Sequence, residues 1–183
     1  MQLSEQWVLV TGGARGLGQS ITRALAREGA GVVINYLHSD AAAQALAEEL
    51  GPRALALQAD VTDAAAVQRL FAQVRERTGQ PISAVVNNAL AQFRFDGDAR
   101  PQIGDITWQR FAQQLEGAVK GALNTTQAAL PAMREQGFGR IVNVAPTCSR
   151  TPWCPTTTTP PPRPRCSRSP AQRPTTWAST ASR

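Results

Sequence analysis

Trp7-Val8-Leu9-Val10-Thr11-Gly12-Gly13-Ala14-Arg15-Gly16-Leu17-Gly18 is the stretch whose reading decides the fold. Trp7 to Thr11 is a short apolar run rich in valine and stopped by Gly12-Gly13, the signature of a buried strand. From Gly16 onward Leu17, Ile21, Ala24 and Leu25 recur at helical spacing, and Gly29 stands where a helix-terminating glycine belongs. A strand, a glycine-rich loop and a helix thus open the chain.

The same alternation continues downstream. Gly31 to Asn35 predicts a second strand, Ala43, Leu46, Ala47 and Leu50 mark a second helix, and Ala54 to Gln58 predicts a third strand. A helix starting after Thr62-Asp63 carries Val67, Leu70, Phe71 and Val74, and Ala84 to Asn88 is the fourth strand. A loop from Ala91 to Asp105 leads into a long helix with Phe111, Leu115, Ala118, Val119 and Ala122 on one face, reaching toward Met133. Arg140 to Val144 is the fifth strand. Parallel neighbours need crossover helices, and right-handed crossovers put them on both faces, so the pattern predicts an α/β fold with a doubly wound parallel sheet. Ligands of such sheets bind beyond the carboxyl ends of the strands, where strand order reverses.

Composition divides the 183 residues at Val144. Before the cut there are 13 basic and 13 acidic residues; after it there are 6 basic residues and no acidic ones, so the net charge of +6 belongs to the last 39 residues. Residues 145–183 hold 9 of the 13 prolines, 9 threonines and all three cysteines, yet no Gly, Leu, Ile, Val, Phe or Tyr. With so little to bury and so many helix-breaking prolines, this segment is expected to be a disordered tail following a folded unit at 1–144. A neutral folded part argues against nucleic-acid binding. The start of the chain lacks the basic and apolar regions of a signal peptide, and no run approaches the ~18 apolar residues of a membrane span, so a soluble cytoplasmic protein without membrane partners is expected. Cys148, Cys154 and Cys166 form no CxxC pair and His38 is the single histidine, which argues against a zinc site or a disulfide framework.

The loop Thr11 to Gly18 has the form T-G-x-x-x-G-x-G. Glycines at 12, 16 and 18 allow a tight turn and let a pyrophosphate approach backbone N–H groups at a helix N-terminus, where the dipole favours anions. Together with Asp60-Val61 after the third strand, Asn87-Asn88-Ala89 after the fourth and Gly139 to Val144 at the fifth, this loop resembles the short-chain dehydrogenase/reductase family, in the branch of the 3-oxoacyl-carrier-protein reductases. The resemblance runs from residue 5 to 144 and implies a Rossmann-like NAD(P)-binding domain there, incomplete after the fifth strand. It implies that Thr11, Gly12, Gly13, Ala14, Arg15, Gly16, Leu17 and Gly18 hold the pyrophosphate and adenosine ribose. Asp60 and Val61 would meet the adenine, Asn88 and Ala89 the ribose side, and Asn35, at the end of the second strand, would also bind the cofactor. Two plainer roles stand beside these: Asp60 can cap the following loop, and Asn88 can tie strand to strand. The second strand ends Ile34-Asn35-Tyr36 with no acid before Asp40, and Arg15 can pair with a phosphate, so NADP(H) is favoured over NAD(H). The intact family member would act on a small-molecule or acyl-thioester substrate.

The family's proton donor is a tyrosine in a Y-x-x-x-K motif, its pKa lowered from ~10 by the lysine, with an upstream serine or threonine and a helix asparagine. Here the single tyrosine is Tyr36, the single lysine is Lys120, the asparagine position aligns with Ala118, and Leu90 stands where the N-N-A-G pattern ends in glycine. No catalytic residue is therefore assigned. Read one base earlier, the codons of Thr159 to Arg163 can encode Y-T-T-A-K, and Trp177-Ala178 becomes Leu-Gly within a possible L-G-x-x-G-I segment. The sequence thus reads as a reductase with a frame change near Val144. The alternative is a non-catalytic nucleotide-binding or interaction protein whose basic tail docks on acidic partners. With the covering helix gone, the fifth strand would be an exposed edge open to self-association. Sequencing the DNA across codons 140 to 150 locates the frame change, and the neighbouring frame read on from there is expected to carry the Y-x-x-x-K reading and stay open past Arg183; early stop codons in that frame exclude the frame change.

Overall fold

Strands that are apolar at every position, such as Trp7-Val8-Leu9-Val10, must be covered on both faces. A computed structural model describes residues 1–90 and 103–144 and shows that cover. The elements run β1 (Trp7–Val10), α1 (Gly16–Arg27), β2 (Gly31–Tyr36), α2 (Asp40–Leu50), β3 (Ala54–Gln58), α3 (Ala64–Thr78), β4 (Ala84–Asn87), α4 (Trp108–Leu115), a π-helical turn (Glu116–Lys120), α5 (Gly121–Gln136) and β5 (Arg140–Asn143). All strand pairs are parallel, in the order β3-β2-β1-β4-β5. The fold is α/β and Rossmann-like, as the alternating pattern predicts. The chain steps outward from β1 through β2 to β3, then returns to lay β4 on the other side of β1, so strand order reverses between β1 and β4.

On one face of the sheet Leu9, Val33, Leu57 and Val85 meet Leu70 and Val74 of α3 and Ala129 and Met133 of α5. On the other, Val32 and Ile34 pack with Ala43 and Leu46 of α2, while Val8, Val10 and Val86 pack with Ile21 and Leu25 of α1. Each fully buried Val, Leu or Ile contributes about 1.5–3 kcal/mol relative to an exposed one. Local signals set the helix ends. The Asp63 carboxylate accepts from the Ala65 N–H at 2.8 Å at the start of α3, and Gly79, at φ +69°, ends that helix in the left-handed conformation glycine tolerates.

The long helix departs from the expectation. It is continuous from α4 through the π turn into α5, but the apolar stripe does not face the core: Phe111 is 51 % exposed, Leu115 44 % and Val119 61 %. Trp108 and Leu123 extend the stripe and are also exposed. The buried side is instead Gly117, Gly121, Asn124, Thr125, Ala128, Ala129 and Met133. Small side chains let the helix axis lie close to the sheet, and the two polar ones are hydrogen-bonded there, so tertiary contact overrides the hydrophobic pattern. Leu17 on α1 departs in the same way; it is 58 % exposed.

β5 lies at the edge of the sheet, next to β4, with Val142 half exposed. The expected disordered tail at 145–183 and most of the Ala91–Asp105 loop lie outside the described residues. Among the described residues no helix is long and apolar enough to cross a membrane. The inverted helix is testable by denaturant unfolding. Val119→Ser is expected to change the unfolding free energy by no more than about 0.5 kcal/mol. Ala129→Leu, forced against the sheet, should cost about 1–3 kcal/mol.

Candidate active site

The reversal of strand order leaves a crevice at the carboxyl ends of β1 and β4, and Thr11 is the residue that closes its floor. The Thr11 Oγ1 accepts from the backbone N–H groups of Asn88 and Ala89, both at 2.9 Å, and donates to the Val86 carbonyl at 3.3 Å. One hydroxyl thereby uses its donor and both lone pairs inside a buried site. Asn88 returns the connection: its Nδ2 donates to the Thr11 carbonyl at 3.0 Å and lies 3.4 Å from that of Gly12. The plainer role of Asn88, tying β1 to β4, is thus present in the geometry.

The glycines of the loop differ in purpose. Gly12 and Gly16 have φ of +63° and +52°, a region costly for other residues. Around Gly16 a side chain would meet nothing within 4 Å, so open space lies over the first turn of α1. Gly18 is required by contact: a Cβ there would stand 2.2 Å from the Gly12 carbonyl oxygen and 2.7 Å from Asn88 Nδ2. The Gly13 N–H donates to the Asn35 carbonyl at 2.9 Å, and Thr22 Oγ1 lies 2.9 Å from the Gly18 carbonyl, which seats the loop against β2 and α1.

The remaining predicted residues fall on different sides of this crevice. Asn35 is buried and its Nδ2 donates to the Ala59 carbonyl at 3.0 Å, so its amide braces β2 to β3. Ala14 is packed in the core with Ala43 and Leu46. The Asp60 carboxylate accepts from Thr62 through both backbone N–H (2.8 Å) and hydroxyl (2.7 Å), the loop-capping role. Arg15 and Leu17 are exposed.

A cleft of about 250 Å³ opens beside Thr11, lined among others by Val61, Asn87, Ala118, Gly121 and Asn143. Its far wall is the start of α5. Asn124 Nδ2 donates to the Val61 carbonyl at 2.9 Å, the Thr125 hydroxyl meets Asn87 Oδ1 at 2.7 Å, and Asn87 Nδ2 donates to Asn143 Oδ1 at 2.9 Å. Asn124 and Thr125 escaped the sequence reading. Their signal is the run of four polar residues, Asn124-Thr125-Thr126-Gln127, set between the Ala122-Leu123 and Ala128-Ala129-Leu130 segments of the helix.

Ala118, at the position where the family resemblance expects asparagine, faces this cleft without a proton-bearing group. Tyr36 is elsewhere, at the end of β2, its hydroxyl donating to the Asp40 carboxylate. That hydrogen bond, with burial, raises its pKa above the usual tyrosine value, the opposite of what a proton donor activated by lysine needs. Lys120 is exposed on the π turn.

Comparison with known proteins fits this architecture. The family model of the short chain dehydrogenases matches residues 6–157, and the chain belongs to that family. It is 39 % identical over 151 residues to a sorbitol dehydrogenase of Cereibacter sphaeroides, covering 82 % of this chain and 56 % of the relative. It is 35 % identical over 141 residues to the 3-oxoacyl-[acyl-carrier-protein] reductase FabG of Staphylococcus aureus, covering 75 % and 54 %. With the acetoacetyl-CoA reductase of Paracoccus denitrificans it shares 36 % over 138 residues, covering 75 % and 53 %. The chain spans a little over half the length of these relatives. Members of the family use NAD(P) nucleotide cofactors.

Two measurements test the site's construction. Thr11→Val leaves the Asn88 and Ala89 amides without an acceptor and is expected to cost about 2–4 kcal/mol in urea unfolding, whereas Thr11→Ser stays within about 1 kcal/mol of the parent. Tyr36→Phe should lower stability by roughly 1 kcal/mol at pH 7. Because the folded-state pKa of Tyr36 is raised, its contribution is complete below the ordinary tyrosine value of ~10 and is lost as pH rises through the folded value, so the deficit of Tyr36→Phe should shrink above pH ~10.

Proposed function

We propose that residues 1–144 form the dinucleotide-binding part of an NAD(P)-dependent short-chain oxidoreductase, with NADP(H) preferred to NAD(H). The whole enzyme would reduce a 3-oxoacyl thioester or a related carbonyl compound, the reaction class named for two of the relatives. The observation that carries the reading is the glycine loop at the strand-order reversal, open over the first turn of α1 at Gly16. A diphosphate fits that cradle: the first N–H groups of the helix lack intrahelical acceptors, and no side chain occupies the space above Gly16.

In this reading Gly12 to Gly18 hold the pyrophosphate, Asp60 and Val61 border the adenine, and Asn88 and Ala89 border the ribose side. Arg15, exposed in the loop, pairs with a ribose 2′-phosphate. When bound, the nicotinamide dinucleotide supplies or accepts the hydride. Thr11 and Asn88 keep the loop at a fixed distance from β4, so the cofactor meets a pre-organised floor. In this reading no tyrosine–lysine pair serves a carbonyl: Tyr36, the single tyrosine, is held by Asp40, and Lys120, the single lysine, lies on the π turn. This polypeptide therefore binds cofactor without turnover.

Fluorescence titration of the purified chain is expected to give tighter binding of NADPH than of NADH, and Arg15→Glu should reverse the preference, by about tenfold each way. No NADPH oxidation above background is expected with an oxoacyl thioester. Absence of binding for both dinucleotides rejects the cofactor reading; robust turnover by the 183-residue chain rejects the inactive one.

A further inference from the structure

Asn124 and Gly121 lie on α5, yet both touch the loop that follows β3. The Asn124 Nδ2 donates to the Val61 carbonyl at 2.9 Å, and Asn124 is only 8 % exposed. At Gly121 a Cβ would stand 2.8 Å from Val61 Cγ2, so the missing side chain is what lets Val61 press against the helix. From its other side the loop is held by Asp60, whose carboxylate takes both hydrogen-bond donors of Thr62. Val61 is thus clamped between its own turn and a helix that lies more than fifty residues away in sequence. A buried amide with a single acceptor at good distance, beside a glycine that admits the acceptor's side chain, is a position-setting contact.

We propose that Asn124 is a positioning residue for the adenine end of the dinucleotide, acting with Gly121 to set where the Val61 backbone and side chain stand in the cleft. The inference rests on the dinucleotide-binding reading and extends it to residues that make no contact with the glycine loop. Losing the Asn124 donor frees the Val61 carbonyl, and the loop relaxes away from α5. Adding a methyl group at Gly121 pushes Val61 in the same direction from the same helix. The second change also separates position from stability, because alanine is a better helix former than glycine.

The test uses the full chain and two ligands, NADPH and AMP, with affinities from titration and amide spectra from NMR. Asn124→Asp, isosteric but without the donor, and Gly121→Ala are each expected to weaken AMP and NADPH about tenfold and to shift the Val61 and Thr62 amide resonances while leaving those of Gly12 to Gly18 in place. Met133→Ala, on the same helix but more than two turns beyond Asn124 and packed in the core under the sheet, should lower the melting temperature and keep both affinities within about twofold. The proposal is overturned if Asn124→Asp and Gly121→Ala bind AMP within twofold of the parent, or if Met133→Ala loses AMP affinity to the same extent. If the parent chain binds neither NADPH nor AMP, the cofactor reading itself falls and takes the inference with it.

Discussion

A single buried hydroxyl, that of Thr11, joins the two halves of the sheet where their connection changes direction. β1 and β4 are neighbours in space but far apart in the chain, and beyond the last ladder hydrogen bonds their backbones diverge into the glycine loop and the Asn88-Ala89 segment. Without the Thr11 hydroxyl the part-buried amides of Asn88 and Ala89 would lack this acceptor. Thr11 accepts both, and Asn88 answers by donating to the loop carbonyls. The crevice expected at a reversal of strand order exists because this exchange holds its two walls at a fixed separation.

From that point the other constraints follow in order. Gly18 must lack a side chain because the first turn of α1, where it stands, lies against the Gly12 carbonyl, and Gly12 must lack one because the loop has turned into the left-handed region. The loop can lie so close to Asn88 because Thr22 and Asn35 seat it from behind. The opposite wall is built on the same plan, with Gly121 giving room for Val61 and Asn124 and Thr125 supplying directed bonds to Val61 and Asn87. Both walls of the cleft thus combine a glycine that permits contact with a polar side chain that fixes its register.

The long helix shows what this plan costs the ordinary rule of burial. Its leucine, valine and aromatic stripe is turned outward, and its glycines, alanines and two polar residues are turned inward. A periodic apolar pattern says that one face of a helix is distinct; it does not say which face meets the sheet. That was decided by the available gap, which admits small side chains, and by the unpaired groups of the cleft, which require Asn124 and Thr125.

Chain order alone determined the strands, the crossover helices and the place of the glycine loop, because hydrophobic period and glycine position act over a few residues and do not depend on distant partners. Val67, Leu70 and Val74 are buried as their spacing demands, and Asp63 caps its helix where the sequence puts it. The site was legible in part: of the candidate site residues, Thr11, Val61 and Ala89 line one cleft, because each ends or follows a strand. Only the tertiary structure decided that the Asn35 amide is spent on Ala59, that Ala14 is core, and that α5 reaches across to Val61. Those are pairings between residues remote in the chain, and a hydrogen bond between remote residues leaves no period in the sequence from which to read it.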